Sequence, residues 1–299
     1  MWTTKNIPDQ TGKTVIVTGS NVGIGYETAL ALYQAGAQVI IASRDRKKAE
    51  EAIAQIKNSG GKGSLEFIEL NLASLSAVKQ FAGEFKQKHS KLDILINNAG
   101  VMIPPASKTD EGYELQFGVN HVGHFALTGY LYPVLRATPG SRIVTVSSMV
   151  YLHGTIDFDN LRSEKDYDAM REYSQSKVAN ILFAFELQRR IDAAGDQVLS
   201  IAVQPGANKT ELARHISAEE LATAIKRIGE LMEPWQGALP SLYGATNPEA
   251  KGGKFYSPDQ DGGYRGYPAE FEVMPNGTDT DTAKKLWAYT EQETGVTFP

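Results

Sequence analysis

Tyr173 and Lys177 stand four residues apart in the segment YSQSK. On a helix this spacing sets both side chains on one face. A free phenol ionises near pH ~10. A neighbouring ammonium favours the phenolate and lowers that value, so the pair predicts an acid/base group usable near neutral pH. Such a phenol suits a reaction in which hydride reaches a carbonyl and the oxygen must gain a proton. A second cluster, Gly19-Ser20-Asn21-Val22-Gly23-Ile24-Gly25, follows the β-branched run Thr14–Thr18 and precedes a helical pattern. Glycines there allow a sharp turn and close approach to a pyrophosphate. The helix that follows offers free N–H groups and the positive end of its dipole. His121 and His124 are spaced as metal ligands can be, but no third ligand or acidic partner stands near them, so no metal is expected.

These residues need a frame, and the hydrophobic pattern supplies one. Short apolar runs at Thr14–Thr18, Gln38–Ala42, Leu65–Leu70, Leu92–Ile96, Arg142–Ser147 and Val198–Val203 read as buried strands. Helical patterns lie between them at Gly25–Gly36, Arg46–Ser59, Leu75–Lys88, from about Gly112 to Leu135, and at Tyr173–Ala194. This alternation predicts a single-domain α/β fold of the Rossmann type, a doubly wound parallel sheet with helices on both faces. One domain spans residues 1–299, with a cofactor half over 12–140 and a catalytic and substrate half over 141–299. Beyond Pro205 the sequence predicts loops, especially in Lys251–Gly266, an amphipathic helix at Ala218–Met232, and one late strand.

Composition narrows the function. Thirty basic against 35 acidic side chains leave a net charge of −5, which argues against nucleic acid as a partner. The absence of cysteine excludes disulfides, zinc–thiolate sites and a thiol nucleophile. Met1–Asp9 has no apolar stretch of the secretory kind. No apolar run approaches the ~20 residues of a membrane span. The expectation is a soluble, cytoplasmic protein.

The glycine pattern TGxxxGxG, Asn97-Asn98-Ala99-Gly100 after the fourth strand, YSQSK, and Pro205-Gly206-Ala207-Asn208-Lys209-Thr210 after the sixth occur in that order over residues 18–210. Together they resemble the short-chain dehydrogenase/reductase family. The resemblance implies interconversion of a carbonyl compound and its alcohol with a nicotinamide cofactor, Tyr173 serving as acid/base and Lys177 reaching the cofactor ribose. It further implies that Ser148 donates to the substrate oxygen while Ser147 is structural, and that Asn120 holds a water linking Lys177 to solvent. Asn71, with Leu72, stands where the family contacts adenine. Asn97 resembles the cofactor-contacting asparagine of its motif, with Asn98, Ala99, Gly100, Pro205, Gly206 and Thr210 also along the cofactor. At the end of the second strand, Ser43 replaces the acid that selects NAD, and Arg44 offers a planar fork for a 2′-phosphate, so NADP(H) is expected over NAD(H). Asp45, a possible partner for Arg44, weighs against this.

The strings VNHVGHF, YSQSKVANILFAFEL and LWAYTEQETG resemble the retinol dehydrogenase-like branch, which includes relatives of the WW-domain oxidoreductase and, more distantly, protochlorophyllide reductases. The interval between Ser148 and Tyr173 is longer than in many members, and the insert Tyr151–Arg171 is expected to form a lid or substrate wall. Met149, Tyr151, Leu152, Phe158, Leu212, Met232 and Trp235 are expected to line an apolar pocket for a small-molecule carbonyl or alcohol. Two other readings stand beside this one. A double-bond reductase would use Tyr173 to protonate carbon, but its known relatives place a cysteine near the substrate. A non-enzymatic NADP-binding regulator need not keep Asn120, Ser148, Tyr173 and Lys177 together. Family members commonly form homodimers or homotetramers through helices on the flanks of the sheet.

Overall fold

The computed structural model describes residues 1–299, the side chains of Ala218, Ala224 and Arg227 excepted. The elements run β1 (Thr14–Thr18), α1 (Gly23–Gln34), β2 (Gln38–Ser43), α2 (Arg46–Asn58), β3 (Ser64–Glu69), α3 (Leu75–Lys88), β4 (Ile94–Asn97), α4 (Leu115–Phe117), α5 (Gly123–Arg136), β5 (Arg142–Val146), α6 (Ala169–Ala194), β6 (Leu199–Val203), α7 (Ala218–Ile228), α8 (Pro234–Thr246), β7 (Phe255–Gln260), β8 (Arg265–Glu270), α9 (Pro275–Thr278) and α10 (Thr280–Thr294). Eight strands form one sheet in the order β3-β2-β1-β4-β5-β6-β7-β8. All neighbours are parallel except β7 and β8. The winding reverses between β1 and β4, and at such a switch point the carboxyl ends of the strands open a crevice.

Alternation along the strands builds two core layers. Ile16, Ile40, Leu95 and Ile143 face α3, α5 and α6, where Phe81, Phe85, Phe125 and Phe183 pack on them. Val15, Val17, Val39, Ile41 and Ile96 face α1, α2 and α8. The period of two therefore fixes which strand residues carry which helices.

Four local departures from the sequence reading bear on the site. Asp168 accepts a bond from the Arg171 amide and starts α6 at Ala169, so Tyr173 lies in the second turn rather than at the start of the helix. The helical stretch before β5 is not uniform: a π turn over Gly118–Val122 separates α4 from α5. Gly229, at φ 80°, ends α7 at Ile228, well before Met232. The late region holds two strands, not one. Phe255 and Tyr256 are buried at the edge of β6, and the chain returns as β8 through turn glycines at Gly262 and Gly263. Pro258 lies beyond the β6 pairing and Pro268 sits opposite it, so neither interrupts an interior ladder.

The chain's own C-terminal segment packs on α5 and α6, flanking helices of the kind expected to mediate assembly. Trp287 of α10 stacks on Phe183, Phe298 packs edge-on against Phe125, and Val296 and Phe298 sit against Gly129.

Candidate active site

One cleft of about 1410 Å³ runs along the carboxyl ends of β1 to β6. A single small-molecule site typically occupies ~300–1,000 Å³, so the cleft has room for more than one ligand. Its floor begins at the glycine turn. Gly19 adopts φ 67°, and a Cβ there would come within 2.9 Å of the Ala99 Cα. Gly25 has no room for a Cβ beneath the Gly19 carbonyl and the Asn98 amide. Val22 caps α1 without a side-chain bond, and the first turn holds no acidic residue. The leading amides of α1 thus have no side-chain acceptor where Gly19, Asn21, Gly23, Ile24 and Gly25 line the cleft. These features fit a dinucleotide pyrophosphate. Ser20 is the exception: it is fully buried, and its hydroxyl donates to the Val17 carbonyl at 2.7 Å, away from the cleft. Its side chain is therefore turned back onto β1 and does not take part in the contact expected of Ser20.

At the end of β2, Ser43 and Arg44 both line the cleft. Asp45 is engaged elsewhere, accepting the Lys48 amide at 3.1 Å as the cap of α2. It therefore does not compete for the Arg44 guanidinium. Asn71 and Leu72 line the wall nearby. The two asparagines after β4 separate. Asn97 is buried and donates to Thr128 Oγ1 at 3.1 Å, whereas Asn98 lines the cleft and donates to the Thr18 carbonyl at 2.8 Å. The cofactor-contacting reading of Asn97 is thereby corrected: as the last residue of β4, its side chain falls on the α5 side of the sheet. Ala99, Gly100, Pro205, Gly206 and Thr210 all line the cleft.

Ser148, Tyr173 and Lys177 converge where β5 and α6 meet the cleft. Ser148 lies beside Tyr173 and favours the ionised phenol. Lys177 Nζ lies 5.5 Å from the Tyr173 ring centroid and 3.4 Å from the Val146 carbonyl, its hydrogen-bond acceptor. Ser147 donates to the Lys177 carbonyl at 2.7 Å and so ties α6 to β5. Asn180, not foreseen, donates to the same Val146 carbonyl at 2.9 Å.

The electrostatics differ from expectation. Burial pushes Tyr173 above the ordinary phenol value, with Ser148 pulling the other way. Burial pulls Lys177 down to about 8. Burial thus opposes the lowering that the ammonium was expected to bring. Desolvation is the largest cause for both groups, and Lys177 Nζ meanwhile donates to the Val146 carbonyl.

Asn120 sits in the π turn, a common mark of functional positions in helices. Its Oδ1 accepts from Val101 N at 2.8 Å, and its Nδ2 donates to Val101 O at 3.0 Å and Ser176 Oγ at 2.9 Å. Both polar ends of the side chain are thus engaged by protein, and Asn120 braces the chain after Gly100. The two histidines diverge. His121 Nε2 meets Thr290 Oγ1, whereas His124 meets Thr18 Oγ1 at 2.9 Å and the Asn120 carbonyl at 3.0 Å. Burial pulls them down to about 3 and about 4 respectively, so both are neutral at ordinary pH. Among the described residues, no cluster of three metal-ligating side chains occurs.

The substrate end of the cleft is lined by Met102, Leu115, Val119, Met149, Leu212, Ile216, Leu231 and Tyr264. Of the seven residues expected there, only Met149 and Leu212 take part. Tyr151 is buried behind, its phenol accepting the Met274 amide, and Met232 packs against Gly206. Phe158 lies under Lys285, and Leu152 and Trp235 face outward. The insert Tyr151–Arg171 does not line the cleft, contrary to the lid or wall expected of it. Apolarity alone could not separate wall from core at these positions.

Comparison with known proteins agrees with this geometry. Residues 13–221 match the family model for short chain dehydrogenases. Retinol dehydrogenase 14 of Mus musculus is 42% identical over 298 residues, spanning 95% of this chain and 86% of that protein. Polyprenol dehydrogenase of Mus musculus is 39% identical over 297 residues, spanning 97% and 86%. The crystal structure of an uncharacterised protein from Mycobacterium paratuberculosis superposes with a TM-score of 0.84 at 38% identity, covering 100% of this chain and 99% of that one. The chain belongs to the short-chain dehydrogenase family, in its retinol dehydrogenase-like branch, and is an oxidoreductase acting on CH–OH and C=O groups.

Proposed function

We propose that this enzyme interconverts an apolar carbonyl compound and its alcohol with NADP(H). The observation that carries the reading is the meeting of Ser148, Tyr173 and Lys177 on the cleft that also holds the uncapped start of α1. A bound nicotinamide supplies or accepts the hydride. The protein's part is the proton. Tyr173, held protonated by burial, donates to the carbonyl oxygen as charge grows there. Ser148 donates a hydrogen bond to the same oxygen and polarises it. The Lys177 ammonium stabilises the phenolate that Tyr173 becomes. In the oxidative direction the phenolate takes the alcohol proton.

Preference for NADP(H) rests on an uncharged Ser43 and a free Arg44 fork beside it. The apolar substrate class is supported by the Met102, Leu212 and Leu231 wall and by relatives named for retinol and polyprenol, both long apolar alcohols. The test is turnover of NADPH and NADP⁺ against a panel of apolar aldehydes, ketones and alcohols. Tyr173→Phe is expected to bind cofactor yet lose turnover by roughly 10²–10⁴-fold, the usual worth of a positioned acid. Unchanged turnover in that variant, or a tenfold preference for NADH, would overturn the proposal.

A further inference from the structure

The chain from Val101 to Ser107 forms one wall of the substrate end. Within it, Ile103 has φ 50°. A β-branched residue in the left-handed region is an outlier, and Ile103 is doubly disfavoured because a residue before proline is normally extended. Such a conformation persists only where neighbours impose it. Here they do so from behind the wall. The Ile103 amide donates to Gln116 Oε1 at 2.8 Å, and Gln116 is fully buried. Its Nε2 donates to the Ala169 carbonyl at 2.9 Å and to the Tyr167 phenol at 3.4 Å. The Tyr167 hydroxyl donates in turn to the Pro104 carbonyl at 2.6 Å. The two ends of the strained unit are therefore clasped by one small network, and neither Gln116 nor Tyr167 lines the cleft.

We infer that Tyr167 is a positioning residue for substrate selection. Acting through Pro104 and Gln116, it holds Ile103 left-handed, so that Met102 and Pro104 present a fixed wall to bulky apolar substrates. This gives the insert, which contains Tyr167, a function even though it does not line the site. The inference rests on the carbonyl–alcohol reading of the cleft. Without the hydroxyl, the Pro104 carbonyl loses its donor and the segment is free to relax toward the extended conformation natural before proline. A bulky substrate then loses the surface it packs on, whereas a small one needs that surface little.

The experiment compares Tyr167→Phe with the unaltered enzyme on one long-chain and one short-chain aldehyde with NADPH. The long-to-short ratio of kcat/KM is expected to fall by roughly three- to tenfold, the worth of one neutral hydrogen bond. The Kd for NADPH stays the same, and the Ile103 amide exchanges with solvent faster. Adding Ile103→Gly is expected to recover the ratio, because glycine adopts a positive φ without strain. An unchanged ratio, or an equal loss on both aldehydes that glycine does not repair, would overturn the inference. If the unaltered chain reduces neither aldehyde, the activity reading itself fails. Amide exchange then judges the clasp alone, and unchanged protection of Ile103 in Tyr167→Phe rejects it.

Discussion

Replacing the lysine at the centre of the site should make the protein more stable. Lys177 is 4% exposed, and its hydrogen-bond acceptor is a backbone carbonyl at a long 3.4 Å, with no carboxylate paired to it among the described residues. Burial brings it from the ordinary 10.5 to about 8. The difference is 2.5 units, and at ~1.4 kcal/mol per unit it corresponds to about 3 kcal/mol of lost stability. The sign follows from proton counts. Between pH 8 and 10.5 the unfolded chain holds the proton more often than the folded one, so stability rises with pH across that window. Below pH 8 the folded state carries the full penalty. Lys177→Met keeps an unbranched chain of similar reach and removes the charge. Without added cofactor it should therefore unfold at higher denaturant, by about 3 kcal/mol at pH 7, while losing turnover. Chemical denaturation of both proteins at pH 7 and pH 10 measures this, and the gap should narrow at the higher pH. A variant less stable than the parent at pH 7, or a gap that ignores pH, would refute the reasoning.

Two further outcomes follow from other parts of the site. Arg44→Ala should raise KM for NADPH by roughly ten- to a hundredfold, the range for a hydrogen bond to a charged group, with little effect on NADH; steady-state kinetics with both nucleotides checks this. Glu114 is buried, and desolvation raises it from 4.5 to about 7 against the bonds it accepts from the Gln116 and Phe117 amides. Its folded value exceeds the unfolded one, so this group is harmless below pH 4.5 and destabilises progressively as pH rises to 7, by up to about 3 kcal/mol. Glu114→Gln should flatten that decline, which parallel urea titrations at pH 5 and pH 8 would detect.

What the sequence showed and what it hid divide along one physical line. The glycine turn and the Tyr173–Lys177 pair are local: backbone freedom and helical spacing specify them within a few residues, and the structure places both on the cleft. Strands β1 to β6 were legible for the same reason, since each is marked by a short local run of apolar residues. The errors concern direction and distance. Asn97 and Asn98 differ only in which side of the sheet each faces, and a motif does not say where the strand ends. Tyr151, Phe158 and Met232 are as apolar as the true wall residues Met102 and Leu231, and only the fold sorts them. The raised phenol and lowered ammonium reflect burial, which spacing does not report. Gln116, Asn180 and Tyr167 act through partners far along the chain, so nothing in their own neighbourhoods marks them.

The buried histidine shows how such distant partners build the site. Asn120 O can only accept, so the hydrogen on His124 must sit on Nδ1, leaving Nε2 as an acceptor. Thr18 Oγ1, 2.9 Å away, can then donate to Nε2, the Ile96 carbonyl at 3.3 Å being its other acceptor, and its lone pairs receive the amides of Asn98 and Ala99, each at 2.9 Å. On the other side, Asn120 Nδ2 donates to Ser176 Oγ, which donates to the Tyr173 carbonyl at 2.8 Å. One chain of hydrogen bonds therefore runs from β1 beside the glycine turn, through the π turn, to the helix that carries Tyr173 and Lys177. The Thr18 link to Nε2 survives only while His124 is neutral, because a protonated ring would oppose the Thr18 hydroxyl with a second donor. Burial, which pulls His124 down to about 4, keeps it neutral near pH 7. The arrangement ties the glycine-turn side and the Tyr173 side of the cleft together without placing a charge between them.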